Sequence, residues 1–359
     1  MIEPSSRIKP IPAEKRVYMH RCIELARLGI GLVAPNPMVG AVLVCRGKII
    51  GEGYHQYYAE AHAEINCLNA VSQEDSTLIS EATLYVSLEP CAHFGKTPPC
   101  ADAIISRKIP RVVVGCRDPY PEVNGRGIER LRAAGVEVEE GVMEDECKEL
   151  NKRFFTFVKS HRPYIILKWA QGSDGMVSSA DGKRIQISSE CTNRLVHKWR
   201  AEESAILVGT KTALLDNPEL NVRLWKGRSP IRIVIDKKLT LPQTHHLLDQ
   251  KIKTIIFNSE IQKEEGNLSY YKFSPAENDL QQMTRTLYDM QIQSILVEGG
   301  PHLLQSFIDM QIWDEARIIT NESMTIGNGI SAPILGKAKI VREENLQSDI
   351  IRYFERGAS

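Results

Sequence analysis

The chain has 359 residues and a formal net charge of zero, with 45 basic and 45 acidic side chains. That length is too great for one ordinary hydrophobic core and fits two domains. A dedicated nucleic-acid-binding protein usually carries a basic excess for phosphate contacts, so the balance favours a small-molecule substrate. No run approaches the roughly 20 apolar residues of a membrane helix, and the N-terminus does not resemble a signal peptide. We therefore expect a cytoplasmic protein.

Strand and helix patterns alternate through the first half of the chain. Helices are predicted at residues 14–30, 60–71, 98–107 and 127–134, and strands at residues 39–44, 49–50, 82–88, 111–115 and 136–138. This alternation predicts a mixed or parallel sheet covered on both faces. A charged helix at 143–158 then leaves this unit. We place the boundary within 145–162 and expect domains at 1–148 and 149–359.

The second half begins again with a strand and predicts another α/β domain. Its strands are predicted at 164–169, 205–208, 231–235, 254–257, 294–298 and 316–320, and its helices at 188–201, 277–290 and 301–310. No Gly-x-Gly-x-x-Gly follows a strand, which argues against a Rossmann dinucleotide fold. We assign no functional role to residues 311–359, and we predict no secondary structure for the polar end of this region, 342–359.

Eight cysteines lie within the first 191 residues. In a large chain without a signal peptide they do not predict a disulfide framework. Six stand singly among apolar residues and are expected to be small buried side chains: Cys22, Cys45, Cys67, Cys116, Cys147 and Cys191.

Four residues combine into a candidate metal centre. His62 and Glu64 open a predicted helix, Cys91 follows a predicted strand, and Cys100 opens the next helix. Catalytic zinc takes three protein ligands and keeps a fourth position for water, and a helix N-terminus favours a thiolate. A nearby carboxylate can take a proton from that water and deliver it to a leaving amine. The pattern predicts a zinc-dependent nucleobase deaminase, with Glu64 as the proton carrier.

A structural zinc site is the alternative for these residues, with His93 as the fourth ligand. The presence of Glu64 favours catalysis, because a structural site does not need this carboxylate.

The loop between Cys91 and Cys100 has eight residues, where the general deaminase signature has two. With the segments 36–42, 51–55 and 118–127, it resembles the family of bifunctional riboflavin-biosynthesis deaminase/reductases. The resemblance implies a cytidine-deaminase-like three-layer domain and a diaminopyrimidinone substrate that carries a ribosyl phosphate. It implies substrate contacts from residues in the motif loops, namely Asn36, His55, His93, Lys96, Asp118 and Asn124. Turn formation is the alternative role for Asn36, Asp118 and Asn124, and a solvated charge for Lys96.

The segments 168–175, 206–218, 220–223, 230–236 and 297–301 resemble the reductase half of the same family. This implies a dihydrofolate-reductase-like α/β domain that uses NADPH to reduce the ribosyl group to a ribityl group. The implied cofactor contacts are Ala170, Thr212, Asp216, Gly299 and Gly300. The implied substrate contacts are Arg200, Leu220, Arg223 and Glu298.

Arg200 and Arg223 are candidate phosphate clamps, because a guanidinium is planar and permanently charged. Surface ion pairs are the alternative role for these two arginines. The segment 181–188 departs from the family pattern, so contacts at Arg184 and Gln186 are not assigned.

The leading hypothesis is therefore a two-step enzyme, first a zinc-dependent deaminase and then an NADPH-dependent reductase. The expected partners are a small pyrimidine ribosyl phosphate and further copies of the chain, with no nucleic acid and no membrane. One alternative is a deaminase that acts on a base in RNA and carries an accessory second domain. A second alternative is a zinc-stabilised binding protein without enzymatic activity.

Overall fold

A computed structural model describes residues 13–92, 98–180 and 185–357. The chain divides into two compact units, Met1–Lys159 and Ser160–Ser359. Among the described residues, none of the helices has the length and apolar character needed to cross a membrane.

The first unit contains a five-stranded mixed sheet in the order β2-β1-β3-β4-β5. Its strands are β1 (Gly40–Cys45), β2 (Lys48–Tyr54), β3 (Thr83–Leu88), β4 (Arg111–Cys116) and β5 (Glu137–Glu140). Its helices are α1 (Ala13–Arg27), α2 (Ala63–Asn69), α3 (Cys100–Ser106), α4 (Arg126–Ala133), α5 (Glu144–Leu150) and α6 (Lys152–Ser160). β1 pairs antiparallel with β2 and β3, whereas β3, β4 and β5 run parallel.

Both faces of this sheet are buried, which gives three layers. Along β1, Ala41 and Leu43 pack into one hydrophobic cluster, while Val42 and Val44 pack into another on the opposite face. This is the period-two alternation of a strand covered on both sides. Gly53 lets α2 approach β2, since a Cβ there would lie 2.2 Å from the backbone nitrogen of Cys67. The predicted mixed sheet with helices on both faces is confirmed.

The predicted helix at 143–158 is divided into α5 and α6, and both belong to the first unit. Asn151 lies at the junction and is buried. Its side-chain oxygen accepts from the backbone N–H of Met38, and its amide donates to the backbone carbonyl of Met38, both at 2.8 Å. These two bonds tie the helix junction to the loop that carries Asn36.

The described residues of the second unit form a ten-stranded sheet in the order β11-β12-β10-β9-β8-β13-β6-β14-β17-β16 and a separate two-stranded ribbon. Its strands are β6 (Tyr164–Gly172), β7 (Met176–Ser179), β8 (Ala205–Gly209), β9 (Ile231–Ile235), β10 (Thr254–Asn258), β11 (Lys263–Glu265), β12 (Leu268–Lys272), β13 (Ser294–Val297), β14 (Glu315–Asn321), β15 (Gly329–Ser331), β16 (Ala338–Leu346) and β17 (Asp349–Arg356). Its helices are α7 (Glu190–Glu202), α8 (Thr210–Asp216), α9 (Asp279–Asp289) and α10 (Pro301–Asp309).

The strands from β12 to β14 in this order run parallel, so their carboxyl ends meet along one edge of the sheet. Ligands bind preferentially at that edge of an open α/β sheet. β7 and β15 pair separately as a two-stranded ribbon.

The polar end of the chain, left without structure above, forms the hairpin β16–β17 and extends the sheet from β14. Ile351 and Tyr353 of β17 join a buried cluster. The side chain of Asp349 accepts from the backbone N–H of Ser189 at 2.8 Å. Asn321 of β14 donates to the carbonyl of Ile187 at 2.7 Å. The C-terminal strands therefore hold the segment 185–189, which precedes α7.

Five of the six isolated cysteines are buried as expected, but Cys191 is exposed. It lies in the first turn of α7 on the solvent side, so the prediction is wrong for this residue.

Candidate active sites

The candidate zinc ligands converge in the first unit. His62 is the N-cap residue of α2, Cys91 follows the end of β3, and Cys100 begins α3. The Nδ1 atom of His62 lies 3.6 Å from the Sγ of Cys91 and 3.3 Å from the Sγ of Cys100. A tetrahedral zinc with ordinary bond lengths would separate such N and S atoms by about 3.6 Å. This nitrogen and sulfur donor set, whose atoms all lie within 4.8 Å of one another, therefore fits zinc.

Hydrogen bonds join the members of this cluster and shift their pKa values in opposite directions. Hydrogen bonds from the Cys100 thiol and from His62 lower the pKa of Cys91 to about 4, and the Cys91 sulfur also accepts from the backbone N–H of Cys100. The bond to Cys91 in turn raises the pKa of Cys100 and raises the pKa of His62 to about 9. Glu64 is 3% exposed, and burial raises its pKa to about 7. A carboxyl with that pKa can both accept and release a proton near neutral pH.

Asn36 and His55 meet beside the cluster. The Nδ2 of Asn36 lies 3.0 Å from the Nε2 of His55, and the Nδ1 of His55 lies 3.1 Å from the carbonyl oxygen of Ala61. Since a carbonyl only accepts, the Nδ1 of His55 carries the proton and its Nε2 accepts from Asn36. Burial lowers the pKa of His55, which keeps the ring neutral. Its ring packs edge-on against His62, with 5.4 Å between centroids.

Asp118 and Asn124 lie in the loop after β4. Asp118 is buried, and burial raises its pKa to about 7. It also accepts from the backbone N–H of Tyr120 at 2.8 Å, so the turn role named above is present at this residue. Asn124 is exposed. His93 and Lys96 lie outside the described residues.

Glu89 is a residue that the sequence interpretation missed. It is 4% exposed, and its carboxylate accepts from the backbone N–H groups of Asp118, Gly125, Gly127 and Ile128. Burial raises its pKa, although these four hydrogen bonds oppose the shift. The available signal was an acidic residue directly before Pro90 and Cys91, where the strand ends.

In the second unit, the implied cofactor contacts line one cavity of about 1270 Å³ at the carboxyl ends of the parallel strands. Gly299 has a φ of +116°, which favours glycine, and a Cβ on Gly300 would lie 2.9 Å from the Oγ1 of Thr212. All five implied cofactor contacts line this cavity, namely Ala170, Thr212, Asp216, Gly299 and Gly300.

The implied substrate contacts line a second cavity of about 280 Å³. They are Arg200, Leu220, Arg223 and Glu298. Both cavities share residues that include Lys168, Gln186 and Glu298, so they adjoin. This arrangement allows two ligands to meet beside Glu298. Of the two unassigned residues, Gln186 therefore lies at the junction, and Arg184 lies outside the described residues.

Glu298 is held by two cations. Arg200 donates to both of its carboxylate oxygens at 2.7 and 2.8 Å, and the Nζ of Lys168 lies 3.8 Å away. Burial opposes ionisation of Glu298, but Arg200 and Lys168 outweigh it and lower its pKa to about 2. Burial lowers the pKa of Lys168. Arg200 thus forms an ion pair, but a largely buried one rather than a surface pair.

Arg223 is more open to solvent and donates to Asn221 at 3.0 Å. Its backbone N–H donates to the Nδ1 of His197 at 3.3 Å. His197 also lines the smaller cavity and was not predicted. Burial, together with Arg200 and Arg223, lowers its pKa to about 4.

Comparisons with known proteins cover both units. Residues 12–116 match the cytidine and deoxycytidylate deaminase zinc-binding region, and residues 163–350 match the RibD C-terminal domain. The riboflavin biosynthesis protein RibD of Aquifex aeolicus is 38% identical, over 94% of this chain and 98% of its own. The Escherichia coli protein of the same name is 37% identical, over 83% of this chain and 85% of its own.

The chain belongs to the RibD family. RibD proteins of known structure share its whole fold. A diaminohydroxyphosphoribosylaminopyrimidine deaminase/5-amino-6-(5-phosphoribosylamino)uracil reductase from Thermotoga maritima is 36% identical, with a TM-score of 0.88 over 96% of this chain and 99% of its own. Acinetobacter baumannii RibD is 29% identical, with a TM-score of 0.86 over 96% of this chain and 99% of its own.

Membership in the RibD family makes this chain a bifunctional deaminase and reductase of riboflavin biosynthesis. The match through both units disfavours an RNA deaminase with an accessory domain and a non-enzymatic zinc protein. The cytidine-deaminase-like domain and the following reductase domain are confirmed as the fold class.

Proposed function

We propose that the first unit deaminates 2,5-diamino-6-ribosylamino-4(3H)-pyrimidinone 5′-phosphate, and that the second reduces the ribosyl group of the product to ribityl with NADPH. The observation that carries this proposal is the presence in one chain of a zinc-compatible cluster with a buried glutamate and of two adjoining cavities beside Glu298. The name of the Thermotoga maritima relative supports both substrates.

In the first unit, His62, Cys91 and Cys100 would hold zinc, which would supply Lewis acidity toward a water molecule. Glu64 takes a proton from the water and delivers it to the departing amine. Its burial and its pKa near neutrality support this role. Asn36, oriented by His55, and Asp118 recognise the pyrimidine edge. His93, Lys96 and Asn124 complete the contacts that the family resemblance implies.

In the second unit, NADPH would supply the hydride, and the protein would position the cofactor and the substrate relative to each other. Ala170, Thr212 and Asp216 line the cofactor cavity with the Gly299–Gly300 turn. In the smaller cavity, Arg223 receives the substrate phosphate and Leu220 contacts the sugar. Arg200 acts mainly by fixing Glu298, because its guanidinium is already committed to that carboxylate.

The proposed division of labour follows the two compact units. The helices α5 and α6 contribute to the deaminase side through Asn151, so the deaminase part extends beyond the division at 148/149 expected from the sequence. We further propose a cytoplasmic, homo-oligomeric enzyme that acts on a free small molecule, without nucleic-acid or membrane partners. Neutral net charge supports the first of these exclusions.

The test supplies the purified chain with the diaminopyrimidinone ribosyl phosphate, with and without NADPH, and follows ammonia and NADPH absorbance. We expect ammonia in both cases and NADPH oxidation only after ammonia appears. Cys91→Ser is the matched control, which should release no ammonia yet oxidise NADPH when it is given the deaminated compound. Ammonia release without any NADPH oxidation would contradict the reductase assignment. NADPH oxidation before ammonia release would contradict the order of the steps.

A further inference from the structure

Glu89 follows the end of β3, directly before Pro90 and the metal-ligand candidate Cys91, and its side chain is buried. Its backbone N–H donates to the carbonyl of Cys116 in β4 at 3.0 Å, whereas its carboxylate accepts from the segment that follows β4. One carboxylate oxygen accepts from the backbone N–H groups of Gly125 at 2.9 Å and of Asp118 at 3.3 Å. The other accepts from Gly127 at 3.0 Å and from Ile128 at 3.4 Å. We use the name β4–α4 loop for residues 118–128, which comprise the connection after β4 together with the first three residues of α4.

A buried carboxylate is costly unless hydrogen bonds replace the water that it loses. Here the replacement comes from four backbone N–H groups rather than from a cation, two of them before α4 and two in its first turn. Hydrogen bonds to an ionised acceptor are also stronger than those between neutral groups. Moving the loop therefore breaks several strong bonds together, and the loop is held in one position.

Gly127 brings the backbone of the β4–α4 loop close to the backbone of Pro90. A Cβ on Gly127 would lie 1.9 Å from the carbonyl oxygen of Pro90 and 3.3 Å from the Oε1 of Glu89. Pro90 directly precedes Cys91. The β4–α4 loop is thus packed against the same backbone that presents Cys91, and it carries Asp118 and Asn124 with it.

We propose that Glu89 is a positioning residue of the deaminase site, which fixes the β4–α4 loop and its substrate-binding side chains relative to Cys91. It touches neither the substrate nor the metal. The inference rests on the proposed deaminase function of the first unit. Small displacements of substrate-positioning groups reduce catalysis strongly, even when the catalytic groups themselves are intact.

The test compares Glu89→Gln with Glu52→Gln in the full-length zinc-loaded enzyme. The first substitution keeps the shape of the side chain but leaves a single acceptor oxygen, and the new NH₂ group would face backbone donors. Glu52 is a matched control, since it is a partly buried carboxylate of the same unit that binds Arg21. We expect Glu89→Gln to raise the KM for deamination about tenfold, with zinc content and reductase rate unchanged. The control should leave KM unchanged.

A second measurement, hydrogen exchange by mass spectrometry, locates the effect. Glu89→Gln should speed exchange in peptides covering the β4–α4 loop and leave peptides of α2 and β1 unchanged. Gly127→Ala should raise the same KM, because its Cβ displaces the loop from Pro90.

An unchanged KM with an unchanged loop exchange rate would overturn the inference, as would loss of zinc with exchange spread over the whole unit. A wild-type enzyme that releases no ammonia would instead contradict the proposed function itself.

Discussion

Glu64 is buried, has a raised pKa and lies two residues after His62. Because it is not one of the zinc-ligand candidates, its charge can be removed without removing a ligand. Glu64→Gln keeps the volume but cannot carry a proton. We expect full zinc occupancy and a fall in ammonia release of about 10²–10⁴-fold. Metal analysis and an ammonia assay check this. Glu60→Gln, on the exposed loop before α2, is the control and should retain the native rate. A Glu64→Gln variant with the native rate would exclude the proton-transfer role.

His197 supplies a pH-dependent contribution to stability in the second unit. Its folded pKa of about 4 lies below the usual 6.5, so the folded protein keeps the ring neutral while the unfolded chain takes up a proton. This contribution is complete above about pH 6.5 and is lost as the pH falls toward 4. The Nδ1 that accepts from Arg223 also becomes unable to accept when it is protonated.

We therefore expect the wild-type Tm to fall between pH 7.5 and 5 by about 2–4 °C more than that of His197→Gln. Thermal unfolding at a series of pH values measures this difference. His302→Gln, at an exposed position of the same unit, should follow the wild type. Parallel curves for wild type and His197→Gln would show that His197 is not the titrating group.

At the scale of elements, we expect the hairpin β16–β17 to influence the reductase cavities through Asp349. Its carboxylate holds Ser189 at the start of α7, next to the segment that includes the cavity residue Gln186. Asp349→Ala removes this acceptor, so we expect a higher KM for NADPH, by about tenfold, and unchanged deamination. Steady-state kinetics of each step measure the effect. Asp289→Ala, on the exposed end of α9, is the control, and an equal change in the KM for NADPH in both variants would contradict the role of the hairpin.

Sequence periodicity predicted most of the parallel strands, because strands such as β8 at 205–209 consist almost entirely of a continuous apolar run. It failed for β16 and β17, because this edge hairpin is half exposed and its apolar positions are diluted by charges. The division between α5 and α6 was also missed. Asn151 is a residue that does not break a helix by itself, and its binding to Met38 is a tertiary contact.

For the sites, the order His-x-Glu, Pro-Cys and Cys identified the metal candidates, because ligand type and chemistry restrict such residues strongly. The family resemblance divided the reductase residues into two sets. The cofactor set lines the larger cavity and the substrate set lines the smaller one, and Thr212, Asp216 and Glu298 line both. Glu89 and His197 could not be found in this way. Their bonds go to backbone N–H groups far along the chain, and backbone groups leave no signal in the sequence.

At the scale of the whole molecule, the zinc-compatible cluster found among the described residues lies in the first unit, and the two adjoining cavities beside Glu298 lie in the second. Removing zinc should therefore separate the two activities. After dialysis against a chelator, we expect ammonia release to disappear, while NADPH oxidation with the deaminated compound stays near its original rate. Added zinc should restore ammonia release. Parallel loss of both activities on chelation would show that metal in one unit controls the other.

The two hydrogen bonds of Asn151 also bear on how this chain can be dissected. A deaminase fragment that ends at residue 148 would lack Asn151. The backbone N–H and carbonyl of the buried Met38 would then lose both of their hydrogen bonds to it. Two such groups cost about 2–6 kcal/mol in unfolding free energy, a large part of the stability of a small domain. A fragment that ends at 159 keeps them and should express as a cooperatively unfolding protein. Denaturant titration of the two fragments measures this difference in stability. It would show whether a deaminase domain can fold alone without residues 149–159.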